Sequence, residues 1–180
     1  MNDPVELRTE RLLLRPFSLE DADDISQYAE DPEWARFLPV PQPYTRLDAE
    51  EFVARRVLVS WEADPAWVMV LGDRVIGVVD LHINVTHEIT ELGYGMDPAH
   101  WGKGLMPEAT QAIVDWCFTK RQLAKVYARV NVRNARSLRV VEKLGMTREG
   151  VLRRHIKRHD ERIDDVYYGV LREEWGAAHA

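Results

Sequence analysis

Residues 91–109 read Glu91-Leu-Gly-Tyr-Gly-Met-Asp-Pro-Ala-His-Trp-Gly-Lys-Gly-Leu-Met-Pro-Glu-Ala109, a strand followed by a glycine loop and the start of a helix. Pro107 sits where the first turn of a helix tolerates proline. The free N–H groups and positive dipole end of such a helix bind phosphate. Gly102 and Gly104 let several backbone N–H groups point inward, and Lys103 adds a cation. The stretch predicts either a phosphate-binding loop or an ordinary tight turn, since its glycines match neither a Walker A loop nor GxGxxG.

Three strands are predicted ahead of this loop, from apolar patterning and turn signals. They cover residues 67–71, 75–83 and 89–96. The dipeptide Gly72-Asp73 makes the first two strands a hairpin. Gly93 and Gly95 lie inside the third strand, where they predict either a bulge or a place where a ligand approaches the backbone.

Helices and further strands are predicted on both sides of this region. Capping-box patterns at Ser18–Asp21 and Thr45–Asp48 open two helices, and the prolines at 39–43 make a loop between them. The remaining elements are a strand at 11–15, a helix from Pro107 to about Lys120, a strand at 126–132, a helix from Asn134 closed by Gly145, and a strand pair at 147–155 and 163–171. This order predicts an α+β fold with a mostly antiparallel sheet, in one domain over residues 1–180.

The formal net charge of −6 argues against general nucleic-acid binding. The charge is uneven, because residues 1–90 hold 8 Lys/Arg and 18 Asp/Glu, whereas residues 91–180 hold 16 and 12. A basic second half favours an anionic ligand there, and an acidic first half favours a cationic substrate. Solvated charge without a function fits this distribution equally well.

The chain carries no sequence signal for export or for a membrane. Its N-terminus is acidic without a signal-peptide pattern, and no apolar run approaches the length of a membrane span. The single cysteine, Cys117, allows no intrachain disulfide, so we expect a cytoplasmic protein without a membrane partner. Cys117 lies in the apolar stretch 113–118, which predicts a core residue rather than a nucleophile. His155 and His159 fall in strand and turn, where their spacing makes no shared site, so no metal is predicted.

The loop Trp101-Gly102-Lys103-Gly104, with Gly93-Tyr94 and Pro98 before it and Glu108-Ala109 after it, resembles the GNAT superfamily of N-acyltransferases. The resemblance is strongest to the branch that acetylates the N-termini of ribosomal proteins. Further matches, in the family's order and spacing, are Thr9–Pro16, Asn134 with Ser137, residues 142–146, Glu149-Gly150, residues 164–168 and residues 173–175. Together these matches extend over nearly the whole chain.

The resemblance implies the GNAT fold, in which a mixed, mostly antiparallel sheet flanked by helices splays between the strands near 89–96 and 125–132. Acetyl-CoA, the acyl donor, would lie in the splay, with its pantetheine arm along the first strand and its pyrophosphate on the loop amides. The coenzyme contacts implied in this way are Tyr94, Gly95, Met96, Trp101, Gly102, Lys103, Gly104, Leu105, Met106, Asn134 and Ser137. Met106 departs from the family pattern, which has a smaller residue at that position.

Direct acetyl transfer to an amine needs a base for the ammonium proton and an N–H group for the thioester carbonyl, and an acid can assist the thiolate. Many family members place a tyrosine acid on the helix after the asparagine, but here that position is Val141. The resemblance assigns the acid or thiol-anchoring role to Ser137 instead. The alternative is that Ser137 is simply a first-turn helix serine.

Glu91 is the predicted base, because it lies on the central strand close to the expected splay. Asp80 and His82 on the neighbouring strand are its rivals. Glu91 could equally be a salt-bridged strand residue, and the amine could arrive neutral without any dedicated base.

We therefore predict an acetyl-CoA-dependent N-acyltransferase that acts on an amine, either a protein N-terminus or a small molecule. The parts of the chain expected to form the acceptor wall are Trp34, Phe37, the proline loop with Tyr44 and the helix from Asp48. Aromatic residues there could equally pack as a lid. Homodimers are common in the family, which leaves a homodimer open for this chain. The alternative function is a non-catalytic acyl-CoA-binding or sensing module on the same fold. A third reading is an unrelated binder of nucleotide phosphates.

Overall fold

The hairpin predicted around Gly72 lies inside the central sheet of the computed structural model, which describes residues 3–158 and 161–178. The strands are β1 (Leu7–Arg8), β2 (Leu13–Arg15), β3 (Ala66–Leu71), β4 (Arg74–Asn84), β5 (Ile89–Met96), β6 (Lys125–Asn131), β7 (Thr147–Arg158) and β8 (Glu161–Leu171). The helices are α1 (Asp21–Ala29), α2 (Pro32–Ala35), α3 (Arg46–Leu58), α4 (Leu105–Thr119), α5 (Ala135–Lys143) and α6 (Arg172–Ala178). These elements confirm the predicted α+β class.

The sheet is mixed and mostly antiparallel, with the strand order β1-β2-β3-β4-β5-β6-β8-β7. The one parallel pair among the described strands joins β5 to β6, through the register Ile89–Lys125 to Glu91–Tyr127. Three residue pairs are a short contact for strands of 8 and 7 residues, so the two strands diverge beyond Glu91. This divergence is the splay that the family resemblance implied.

Two apolar layers cover the opposite faces of the sheet, because successive side chains of a strand point to opposite sides. Trp67 belongs to the layer that holds α4 and α5, whereas its neighbour Val68 belongs to the layer that holds α1 and α3. Trp67 is fully buried and lies edge-on to Trp61 and Trp116, with ring centroids 4.9 and 5.2 Å away. This aromatic contact fixes the C-terminal part of α4 against the sheet.

Local capping signals predicted one helix start correctly and another in part. Thr45 and Asp48 form the reciprocal capping box at the start of α3. Only half of the box predicted at Ser18 forms, since α1 begins at Asp21 with no side-chain cap but Asp21 does bond the Ser18 backbone. The Asp21 carboxylate accepts a hydrogen bond from the Ser18 backbone N–H at 2.8 Å and pairs with Arg15 at 2.6 Å. Asp21 therefore ties α1 to β2.

The two glycines in β5 do not mark a bulge. The β4–β5 register runs without a shift from Gly77–Met96 to Asn84–Ile89, and the nearest irregularity lies at Met69/Val70 in the β3–β4 ladder. The other expectation for Gly93 and Gly95, that a ligand approaches the backbone there, therefore remains. In residues 3–158 and 161–178, no helix combines the length and the apolar character needed to cross a membrane.

Candidate active site

The splay leaves one edge of β5 open. Glu91 is the last β5 residue opposite β6, and within the described chain no strand pairs with the β6-facing edge from Leu92 to Met96. The N–H and C=O groups of such an edge accept an extended ligand as if it were another strand. The predicted contacts of the pantetheine arm lie on this open segment.

A cavity of about 610 Å³ opens at the splay, between β5, the loop before α4, the start of α5 and the segment around α2. Ten of the eleven predicted coenzyme contacts line it: Tyr94, Gly95, Met96, Trp101, Gly102, Gly104, Leu105, Met106, Asn134 and Ser137. Lys103 is the exception, because it is exposed and its backbone carbonyl accepts a hydrogen bond from Arg11 at 3.0 Å.

The loop before α4 has the backbone geometry of an anion site. Gly102 and Gly104 have φ angles of +78° and +79°, a region that costs little only for glycine. Gly104 is the N-cap of α4 and offers no side chain, so the first N–H groups of the helix have no side-chain cap. Uncapped N–H groups and the helix dipole together attract phosphate. Met106 does not obstruct this end, since its side chain is 4% exposed and packs in the core.

Trp101 ties this loop to the end of β5. Its indole Nε1 donates a hydrogen bond to the Met96 carbonyl at 2.9 Å. The guanidinium of Arg136 lies 4.2 Å from the centre of the Trp101 ring, a cation–π contact across the mouth of the cavity. Trp101 thus fixes the loop between β5 and α5.

The start of α5 brings two predicted residues to the cavity together. The Asn134 side chain caps the helix by accepting a hydrogen bond from the Ser137 backbone N–H at 3.1 Å. That cap orients the first turn, so the Ser137 side chain faces β5. The Tyr94 hydroxyl lies 2.7 Å from the Ser137 Oγ, and this contact joins strand and helix across the cavity.

Comparison with known proteins identifies this architecture. The family model described as the acetyltransferase (GNAT) domain matches residues 11–147. The chain belongs to the GNAT acetyltransferase family. The N-acetyltransferase p20 of Bacillus licheniformis, itself uncharacterised, is 32% identical over 174 residues, which are 94% of this chain and 97% of that relative. The predicted class, an acetyl-CoA-dependent N-acetyltransferase, is confirmed at the level of the family.

Solved GNAT structures have the same fold. A GNAT acetyltransferase from Bacillus anthracis superimposes with a TM-score of 0.86 at 28% identity, covering 94% of this chain and 100% of that one. RimL, a ribosomal L7/L12 alpha-N-protein acetyltransferase in complex with coenzyme A, gives a TM-score of 0.86 at 17% identity, covering 93% and 98%. The likeness to RimL is one of fold. Together these findings confirm the predicted GNAT fold, and the resemblance to the ribosomal-protein acetyltransferase RimL holds at the level of that fold.

The GNAT position that commonly holds a tyrosine acid is part of the core here. Val141 is fully buried and packs in the same apolar layer as α4. Among the residues that line the cavity, the side-chain hydroxyls belong to Tyr94 and Ser137. Burial raises the pKa of Tyr94 to about 12, against a smaller lowering by its hydrogen bond with Ser137. Tyr94 therefore keeps its proton at neutral pH.

The three candidate bases lie outside the residues that line the cavity, and each has an ionic partner. Glu91 accepts a hydrogen bond from Arg129 Nε at 2.7 Å. His82 Nδ1 lies 2.8 Å from the Asp64 carboxylate. The third candidate, Asp80, is bound by Arg56, and both side chains are mostly buried. The structure thus brings Ser137 to the cavity but leaves the three predicted bases outside its lining.

Two of the residues predicted for the acceptor wall lie at the cavity, and the wall itself stays a prediction. Trp34 and Phe37 line the cavity, and Leu38, which the sequence did not single out, joins them. Tyr44 does not line it, because this residue is buried behind Trp34, with ring centroids 5.1 Å apart. The helix α3 contributes no lining residue either, since it packs on α1 behind this wall.

Charged residues at the mouth of the cavity were missed at the sequence level. Arg136, Arg139 and Lys143 lie three and four positions apart on α5, a helical spacing that puts them on one face toward the cavity. The sequence could have shown this basic face, because the three residues are spaced by about one helical turn in the helix predicted from Asn134. Glu33 lines the opposite wall, with its carboxylate 3.8 Å from the Arg136 guanidinium. The positive side of the cavity fits an anionic coenzyme.

Cys117 is a core residue, as predicted. Its side chain is fully buried, and desolvation raises the pKa of the thiol far above its usual range. A covalent acyl-enzyme on this residue is therefore excluded, because the substrate cannot reach the thiol and the thiol stays protonated. Over the described ranges of the chain, no three His, Cys, Asp or Glu side chains are grouped as metal ligands. His159, half of the spacing considered for a metal pair, lies outside these ranges.

Proposed function

We propose that the chain transfers the acetyl group of acetyl-CoA directly to an amine, with the cavity at the splay as the coenzyme site. The observation that carries the proposal is the convergence of three features on one cavity. These are the open edge of β5, the uncapped N-terminus of α4 and the Asn134–Ser137 turn of α5. They offer partners to the pantetheine arm, to the pyrophosphate and to the sulfur, respectively.

The proposed roles follow from this placement. The backbone of Tyr94, Gly95 and Met96 would bind the pantetheine arm, and the N–H groups of residues 101–106 would bind the pyrophosphate. A backbone N–H of β5 would polarise the thioester carbonyl, because a donor there needs no reorganisation during the reaction. Ser137 would hydrogen-bond the sulfur.

Glu91 remains the proposed base, at the point where β5 leaves β6. Its carboxylate is held by Arg129 and is 22% exposed, so water can reach it. A water molecule beside it would relay the ammonium proton of the acceptor.

For the acceptor, the proposal favours an amine that carries one positive charge, such as a peptide N-terminus, over a polyamine. Glu33 is the single carboxylate among the lining residues, and Arg136, Arg139 and Lys143 outweigh it. Because these three cations would face the phosphates of the coenzyme, Glu33 is left as the one lining carboxylate for the acceptor, and further ammonium groups would have no partner. Trp34, Phe37 and Leu38 offer an apolar wall for the group next to the amine. A small monoamine of similar shape is the other acceptor class within this proposal.

A non-catalytic acyl-CoA-binding module is the second candidate, because Val141 replaces the usual tyrosine acid and is buried. Acetyl-CoA-dependent thiol release separates the two functions. The amine panel holds a short peptide with a free N-terminus, the same peptide N-acetylated as its matched control, a monoamine and a polyamine. We expect release with the free peptide and none with its control. Coenzyme binding without release for any amine would favour the binding module.

The proposal also includes one acetyltransferase domain over residues 1–180 and a cytoplasmic location, with which the lone, buried Cys117 is compatible. A homodimer stays a prediction of the family resemblance, and sedimentation equilibrium measures it directly.

A further inference from the structure

The Tyr94 hydroxyl makes two polar contacts with Ser137. The Tyr94 hydroxyl lies 2.7 Å from the Ser137 Oγ and 3.3 Å from the Ser137 carbonyl oxygen. Tyr94 reaches them from β5, 43 residues away in the chain. The inference that follows rests on the proposed function, in which Ser137 faces the coenzyme sulfur.

Two hydroxyls at this distance share one hydrogen bond, so the donor decides where the other proton points. If Ser137 donated, its only proton would be spent on Tyr94 and none would face the cavity. If Tyr94 donates, the Ser137 O–H is free to point elsewhere. A phenol is a stronger donor than an aliphatic alcohol, and the shared contact to the Ser137 carbonyl also calls for a Tyr94 proton on this side. On these grounds we assign Tyr94 as the donor of the shorter contact, and the proposal below rests on this assignment.

No other hydroxyl on the cavity wall can replace this arrangement. Tyr94 and Ser137 carry the hydroxyls among the lining residues, and Val141 offers no polar atom. The Asn134 side chain caps the helix through its Oδ1, and its NH2 group is an amide donor rather than a hydroxyl. A hydroxyl proton aimed at the sulfur must therefore come from this pair.

We propose that Tyr94 is a positioning residue that takes no part in proton transfer. By donating a hydrogen bond to the Ser137 Oγ, it leaves the Ser137 O–H to point to the coenzyme sulfur. In the reaction, the amine nitrogen forms a bond to the acetyl carbon and the C–S bond breaks, with its electron pair left on sulfur. The Ser137 O–H hydrogen-bonds this thiolate. The ammonium group loses one proton before attack and the nitrogen loses a second as the amide forms. Both protons leave to water or the base, and the thiolate takes its proton from water after release, so neither hydroxyl ionises.

Hydrogen bonding, rather than proton transfer, follows from the acidities. A thiol of ordinary pKa, about 8.5, is more acidic than a phenol, and burial raises the pKa of Tyr94 further. A proton moved from Tyr94 to the thiolate would return at once. A fixed O–H donor stabilises the developing negative charge without that cost.

A double-mutant cycle on turnover tests the proposal, with Tyr94→Phe, Ser137→Ala and both together. We expect Tyr94→Phe to lower kcat roughly three- to tenfold, the size of one neutral hydrogen bond, with KM for acetyl-CoA unchanged. Because Tyr94 acts through Ser137, it should have no further effect in the Ser137→Ala background. Tyr168→Phe is the matched control, since its hydroxyl also bonds α5, at Glu142, but lies outside the cavity lining.

Coenzyme binding gives a second readout that needs no acceptor. Affinities for CoA and for desulfo-CoA are compared at pH 7 and at a pH about one unit above the ordinary thiol pKa. In the wild type, CoA should gain affinity over desulfo-CoA as the thiol ionises, and this gain should shrink in Tyr94→Phe and in Ser137→Ala. Thermal melts confirm that each variant is folded. If Tyr94→Phe does not fold, Tyr94→Met, which also lacks the hydroxyl, takes its place in both readouts.

The outcomes separate this inference from the proposed function. Three results would each overturn the role of Tyr94. The first is a kcat of the double variant that shows the product of the two single effects, and the second is an unchanged kcat in Tyr94→Phe. The third is a pH-dependent gain in CoA affinity that is as large in Tyr94→Phe as in the wild type. If the wild type binds CoA but transfers acetyl groups to no amine of the panel, the proposed function fails. The comparison of CoA with desulfo-CoA then tests, without any acceptor, whether Tyr94 acts on the sulfur through Ser137.

Discussion

At the scale of single residues, the two glycines of β5 have different reasons to lack a side chain. A Cβ at Gly93 would overlap the Asp80 carboxylate, which is bound by Arg56. A Cβ at Gly95 would lie 3.5 Å from Leu38 and 3.6 Å from the Trp34 indole nitrogen, which are ordinary contact distances. Gly93 therefore serves the fold, whereas Gly95 keeps one wall of the cavity open.

This difference predicts opposite results for two matched substitutions. Gly93→Ala should destabilise the protein by about 1–3 kcal/mol, because the methyl group displaces a mostly buried ion pair. Gly95→Ala should change the free energy of unfolding by less than about 1 kcal/mol but weaken acetyl-CoA binding, since its methyl group narrows the cavity. Urea unfolding and calorimetric titration measure the two effects. Unaltered acetyl-CoA affinity in Gly95→Ala would mean that the coenzyme does not approach β5 at this point.

At the scale of elements, α4 contributes its N-terminus, and Gly104 controls access to it. Gly104→Asp should weaken CoA binding by roughly tenfold or more, because the new carboxylate would lie next to the pyrophosphate and repel it. Gly104→Asn is the matched control, since it imposes the same strain at φ +79° and can cap the helix equally well without the charge. The loss should be smaller at high salt. Equal affinities for the two variants would exclude the α4 N-terminus as the anion site.

Elements with local signals were predictable, and contacts between distant elements were not. The β3–β4 hairpin and α5 follow from a turn dipeptide, from Asn134 and from Gly145, each of which acts within a few residues. The 3-10 turn at Pro98–His100 and the short strand β1 lack such a periodic pattern. The role of the Tyr94 side chain was missed for another reason. Its partner is 43 residues away, and neither residue carries a local sign of the contact.

At the scale of the whole molecule, Glu108 joins the first residues of the chain to α4. Its carboxylate accepts hydrogen bonds from the Thr9 hydroxyl at 2.5 Å, the Arg11 backbone N–H at 2.9 Å and the Arg11 Nε at 2.6 Å. Burial alone would raise the pKa of Glu108. These hydrogen bonds, together with the Arg11 charge, outweigh burial and lower the pKa below its ordinary 4.5. The ionised carboxylate is thus the form that stabilises the fold.

This lowered pKa gives a pH dependence with a definite sign. The contribution of Glu108 is complete above the unfolded-state pKa near 4.5 and is lost as pH falls through the lower folded-state pKa. Glu108→Gln should therefore be less stable than the wild type at neutral pH, and the difference should shrink below pH 4.5. Urea unfolding of both proteins at several pH values measures it. A difference that stays constant with pH would show that the charge of Glu108 contributes nothing.

Thermal stability with bound ligand tests the cavity as one unit, because its lining runs from Glu33 to Lys143 and exists only in the folded chain. A ligand at a hundredfold over its Kd stabilises by about 2.7 kcal/mol, which raises the Tm of a chain of this length by roughly 5–10 °C. We expect this shift with acetyl-CoA and with CoA. ATP at matched concentration should give little shift, since it shares the adenine and phosphates but lacks the arm that would pair with β5. A shift with ATP and none with CoA would make the α4 loop a general phosphate site and remove the reason to assign the β5 edge to a pantetheine arm.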